Sequence, residues 1–253
     1  MGGDKLFIGV SIATFLLTGG VVGMRLLWLA RRTRQLPEVL IGTALVSANF
    51  LFFPVAGASG MGRNTVGEVH LGLFAAAMLV LWLAVSCLIT FTWKTFRPHE
   101  RWAKTLALLL SALLLGLVGG LLVTLHVSPP DASSFEAGKL WTGLIRVPLL
   151  GAFGWNLLES LRQYGMAKRR LALGLGDPVV ANRFLLWGLA GVFQVAIQAT
   201  SLGLHVRGLG ILADPLGLFV VATGALFAAA MMFLVFLPPA AYRSFVERRA
   251  RAT

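Results

Sequence analysis

The chain has 253 residues, 57% of them hydrophobic and only 13% charged, and its 22 Lys and Arg outnumber its 10 Asp and Glu. A soluble domain carries roughly 25% charged residues, so this composition excludes an ordinary water-solvated fold and points to lipid as the solvent. The net charge of +12 does not signal nucleic acid, because the basic residues sit in short clusters between apolar runs rather than on one polar face.

Seven apolar runs of about 20 residues follow one another, each long enough to cross ~30 Å of hydrocarbon. They are Leu6–Ala30, Val39–Ala58, Val69–Trp93, Thr105–Val127, Leu140–Leu161, Phe184–Leu204 and Pro215–Leu237. The expected fold is all-α: a polytopic membrane protein of seven transmembrane helices in one domain over residues 1–253. A barrel would instead show ~10-residue segments of alternating polarity. The first run passes Val22 without a small-residue cleavage site and closes on Arg25, Arg31, Arg32 and Arg34. It therefore reads as an uncleaved span rather than a signal peptide.

Basic residues set the expected direction. Arg31, Arg32 and Arg34 follow run one; Lys94, Arg97, Arg101 and Lys104 follow run three. Arg162, Lys168, Arg169, Arg170 and Arg183 follow run five, and Arg243, Arg248, Arg249 and Arg251 follow run seven. With Arg25, that places 17 of the 22 Lys and Arg on one side, against Lys5, Arg63, Lys139, Arg146 and Arg207 on the other. The bias predicts an outside N-terminus and a C-terminus in the cytoplasm, in a bacterial-type cytoplasmic (inner) membrane.

Local signals agree with the spans. Asp214-Pro215 offers an N-cap and an N1 proline to the last helix. Pro129-Pro130 and Pro238-Pro239 stop the fourth and seventh. Glycines at 19, 20 and 23, and at 116, 119 and 120, predict close helix packing on runs one and four.

The polar residues inside the runs are the candidate site. Arg146 lies about two turns into run five, where a guanidinium is costly and normally faces a protein interior or a wet cavity. Counting along the helices places Gln198 at the same depth and Gln194 about 6 Å deeper. Asn49, Thr14 and Thr223 complete a set of candidate ligand-binding residues. Pro148, two residues on, cannot donate its backbone bond and tends to kink the helix. Two readings stay open: a cavity that takes a small polar or anionic ligand from the outer side, or an Arg146 neutralised by Asp214, Glu68 or Glu136. At the other end, Arg25 and Glu159 come to similar depth and are expected to form a structural ion pair.

His70, His126 and His205 are weak candidate metal or haem ligands near the outer helix ends, since no two show a ligand spacing. The single Cys87 excludes an intrachain disulfide. No G-x-x-x-x-G-K-[ST], G-x-S-x-G or C-x-x-C occurs, so no cofactor is expected and an enzyme is the lesser expectation.

Seven spans with an outside N-terminus resemble the layout of microbial rhodopsins and G-protein-coupled receptors, in topology alone. That resemblance would imply retinal on a lysine of the last helix. Pro215–Leu237 contains no lysine, which argues against retinal. Seven-span amidohydrolases of the ceramidase type share the count, but their paired histidines on the last helix are absent. The expected function is a transporter-like or receptor-like bundle. The alternatives are a non-catalytic subunit or assembly factor with a protein partner, and a metal- or haem-dependent enzyme using the outer histidines.

Overall fold

A computed structural model describes residues 2–60, 65–211 and 213–251, with the side chains of 2–5 and 251 outside the description. Arg63 therefore lies outside the described residues, as do the side chains of Lys5 and Arg251. The helices are α1 (Gly2–Thr33), α2 (Leu36–Val46), α3 (Phe53–Ala58), α4 (Leu71–Phe96) and α5 (Arg101–Val127). They continue with α6 (Ser134–Ala172), α7 (Pro178–Val206), α8 (Pro215–Phe236) and α9 (Ala240–Arg251). A π-helical stretch, Ser47–Phe52, joins α2 to α3 without a break in the rod.

Among the described residues, six helical segments are long and apolar enough to cross a bilayer: Leu6–Thr33, Leu36–Ala58, α4, α5, α7 and α8. They make the chain an all-α, multi-pass membrane protein, since every backbone polar group is then satisfied within its own helix. The expected span Leu140–Leu161 lies inside α6, which is 39 residues long. Arg146, Pro148, Asn156 and Glu159 interrupt its apolar run, so α6 is not one of the six.

Consecutive helices pack side by side in the order α1, α2, α4, α5, α6, α7, α8, and α8 packs back against α1, closing a ring. The connections are short, so neighbours run antiparallel. The α4–α5 turn and α9 thus fall at one end, called here the Arg97 end. The α3–α4, α5–α6 and α7–α8 connections fall at the other, the Ser133 end. There two connections are strapped together: Val66 N–H donates to the Ala132 carbonyl at 3.0 Å and Gly67 N–H to that of Pro130 at 2.8 Å.

Helix starts follow their side-chain signals. Asp214 accepts from the backbone N–H of Leu216 and Gly217 at 2.9 and 3.2 Å. Asp177 caps α7 in the same way through Val179 at 2.7 Å, which starts that helix six residues before the apolar run at Phe184. Ser133 caps α6 and carries it six residues ahead of Leu140. Polar first turns are legible as caps but lower the hydropathy of a window, which is why the apolar runs underestimate these helices. Arg34 ends α1 with φ of 56°, a left-handed cap that glycine or asparagine usually supplies.

Two apolar clusters hold the ring. The larger joins α4, α5 and α6 through Phe74, Ile89, Leu114, Leu121 and Trp155; the smaller joins α1 and α2 through Val22, Leu26 and Ile41. The α1 glycines pack as expected: a Cβ on Gly19 would come within 2.5 Å of the Asn49 amide, and one on Gly20 would enter the Phe50 ring. On α5 only Gly120 is closely covered, by the Trp141 indole; Gly116 and Gly119 have open space. Leu108, Leu109, Val123, Leu158 and Phe219 are exposed. They form the outer skin that hydrocarbon covers without penalty.

Candidate functional site

Inside the ring lies a partly open cavity of about 720 Å³, lined from Ser133 and Gly210 at the Ser133 end to Leu88 and Trp187 deeper in the ring. Its walls differ in character. The α6–α7 side carries Thr142, Arg146, Asn156, Gln194 and Gln198 among apolar residues such as Leu149 and Phe153, while α2, α4 and α8 present Leu45, Leu81, Val85, Leu88 and Met232, with Asn49 as a polar exception after α2. Of the expected ligand-binding residues, Arg146, Gln194, Gln198 and Asn49 share this cavity. Thr14 and Thr223 are not part of its lining; Thr223 instead donates its hydroxyl to the Phe219 carbonyl at 2.6 Å.

The register of α6 against α7 corrects the depth count. A Cβ on Gly143 would meet His205, and one on Gly191 would meet Leu157. Antiparallel helices in that register set Gln198 opposite Leu150, so Gln198 sits about 6 Å to the Arg97 side of Arg146 rather than level with it. The polar groups therefore descend the wall in steps. The cause of the difference is that the outer end of α7 packs well inside α6, with Leu204 opposite Leu144 rather than level with Leu140 where the apolar run begins.

Arg146 is half-buried, and its Nε is buried without a hydrogen-bond acceptor. Each carboxylate expected as a partner is engaged elsewhere. Asp214 caps α8, Glu68 accepts from the Thr65 N–H at 3.4 Å, and Glu136 pairs with Lys139 at 3.3 Å. Among the described residues no carboxylate pairs with Arg146. Helix α6 passes through Pro148 as an unbroken α-helix, so the proline removes one backbone donor without splitting the element.

Asn49 is 2% exposed and sits in the π-helical stretch. Its Nδ2 donates to the Leu45 carbonyl at 2.8 Å, while its Oδ1 is buried without a partner. Pro54 explains the local widening, because it has no N–H to return to the Phe50 carbonyl. Such π turns recur where a side chain must be re-aimed at a functional site. Pro54 was the signal in the letters that an α-only reading of this span passes over. Gln198 likewise has a buried Oε1 without a partner.

The Arg97 end of the cavity is closed by contacts between α4 and α6. Asn156 Nδ2 donates to Thr92 Oγ1 at 2.9 Å. One turn on, Glu159 accepts from Arg97 Nε at 2.8 Å and lies 3.7 Å from Arg162. The expected Arg25–Glu159 pair does not form: Arg25 donates to the Phe236 carbonyl at 3.3 Å. Arg97 lies four residues beyond the end of run three at Trp93, yet its guanidinium folds back over Trp102, with the ring centroid 5.5 Å away.

The three histidines do not converge. His205 is buried, and its Nε2 lies 2.6 Å from the Lys139 carbonyl, tying α7 to α6. His70 and His126 are exposed at the starts and ends of other helices. Among the described residues no three His, Cys, Asp or Glu are grouped as a metal site would need.

No protein-family model matches the chain, and no curated protein or solved structure matches it.

Proposed function

We propose that the protein binds a small anionic or strongly polar ligand inside a seven-helix transmembrane ring, entering from the outer side, in a transporter-like or receptor-like role. The observation that carries this reading is Arg146: a guanidinium on the wall of a large cavity with no carboxylate beside it among the described residues. An intramembrane cation is retained against its desolvation cost when something negative meets it there. A cavity near 720 Å³ falls within the roughly 300–1,000 Å³ usual for small-molecule sites.

In this reading α6 is the seventh span, since it fills the position between α5 and α7 that closes the ring. The Arg97 end faces the cytoplasm, because most Lys and Arg gather there, and the Ser133 end faces outward. The membrane is the cytoplasmic one. Single cysteines placed at residues 99 and 210 in a Cys87→Ser background test the orientation with an impermeant thiol reagent. Labelling of intact cells at 210 and not at 99 is expected, and the reverse pattern overturns the assignment.

The pocket is tested by mass spectrometry of small molecules that stay with the purified full chain. A molecule retained by the wild type and depleted in Arg146→Gln supports the reading. Identical profiles for the two proteins remove it.

A further inference from the structure

The shape and lining of the cavity restrict its occupant further, on the premise that Arg146 heads a ligand pocket. A small hydrated anion would meet Arg146 and leave the Leu45, Leu81, Val85, Leu88 and Met232 wall facing solvent. Solvent against such a wall gains nothing from it, whereas covering it with hydrocarbon is favourable by roughly 25 cal/mol per Å² of apolar surface. The occupant must therefore bring apolar surface of its own. The polar side asks for something different. Arg146 Nε lacks an acceptor and Gln198 lines the same space; the unpartnered Gln198 Oε1 and Asn49 Oδ1 are acceptors, so on Gln198 only the Nε2 group can serve an anion. A planar guanidinium matches the two oxygens of a carboxylate.

We infer that the ligand is a long-chain carboxylate, with its head held by Arg146 and the neighbouring Gln198 amide and its hydrocarbon chain against the α2 and α4 wall. The two walls of the cavity then correspond to the two parts of one amphiphile. Binding of the chain covers the apolar wall, while the carboxylate supplies the negative charge that none of the described residues brings to Arg146. No covalent step is involved.

The test uses the full-length protein in lipid nanodiscs, with palmitate, hexadecanol and butyrate as probes. Saturable palmitate binding at one per chain is expected, with hexadecanol and butyrate each at least about 10-fold weaker. Loss of a charge-assisted hydrogen bond predicts that Arg146→Gln weakens palmitate about 10- to 100-fold, and Arg146→Lys less. Ala190→Phe, which fills the cavity without touching the cation, weakens palmitate and leaves butyrate unchanged. Butyrate binding as tightly as palmitate, with both lost in Arg146→Gln, overturns the amphiphile and leaves the pocket standing. Palmitate binding that is absent, or indifferent to Arg146, overturns the inference. The retained-molecule comparison then decides separately whether the pocket holds something else.

Discussion

Asn156 on α6 hands a hydrogen bond to Thr92 on α4 across 2.9 Å in a fully buried setting. The two residues are 64 apart in the chain, and the bond ties together helices that are not sequence neighbours. Thr92 in turn donates to the Leu88 carbonyl at 2.9 Å, so the pair is satisfied through a short relay. Interhelical bonds in lipid average about 0.6 kcal/mol and reach roughly 1.7. A double-mutant cycle of Asn156→Ala and Thr92→Ala, read by unfolding in mixed micelles, is expected to show a coupling near 1 kcal/mol. A coupling indistinguishable from zero removes this contact as a tie between α4 and α6.

Glu159 and Arg25 separate two accounts of the Arg97 end. Glu159 is 5% exposed and serves Arg97 and Arg162 together. Glu159→Gln leaves a partly buried Arg97 without its counter-charge and is expected to cost about 2 kcal/mol, discounted from the full buried-pair value for the exposure of Arg97. Arg25→Gln loses one weak bond to a carbonyl and should cost well under about 1 kcal/mol. Equal losses in thermal unfolding would return Arg25 to the role of partner.

Arg146→Gln makes the opposite kind of prediction. A half-buried cation that pairs with no carboxylate among the described residues opposes folding in the absence of ligand, so its removal should leave the empty protein as stable or more stable, by up to about 2 kcal/mol. Unfolding of ligand-free wild type and variant checks the sign. A marked destabilisation would mean that Arg146 has a structural partner.

The glycines of α1 and α5 predict unequal tolerance. Gly20→Ala drives a methyl into the Phe50 ring and should cost about 1–3 kcal/mol through overpacking. Gly116→Ala meets open space and should gain up to about 1 kcal/mol from helix propensity. Melting temperatures of the two variants in one detergent compare them directly.

The long apolar runs, the caps at Asp214 and the stops at the two proline pairs were all readable in the letters, because hydrophobicity, capping and proline chemistry are local. So was the oddity of Arg146, whose cost depends on its neighbours along one helix. What the letters left undetermined depends on contacts between distant segments. The register of α6 on α7 lowered Gln198 by a turn. The return of Arg97 to Glu159 displaced Arg25, and the closure of α8 on α1 made a ring with a cavity. Thr14 and Thr223 show the same limit: helical periodicity says which residues share a face, but only packing says which face looks inward. Spacing along a chain carries no information about the rotation of one helix against another; that angle is set when Gly19, Gly20 and Gly23 of α1 meet Asn49, Phe50 and Leu45, and when Gly143 of α6 and Gly191 of α7 meet His205 and Leu157.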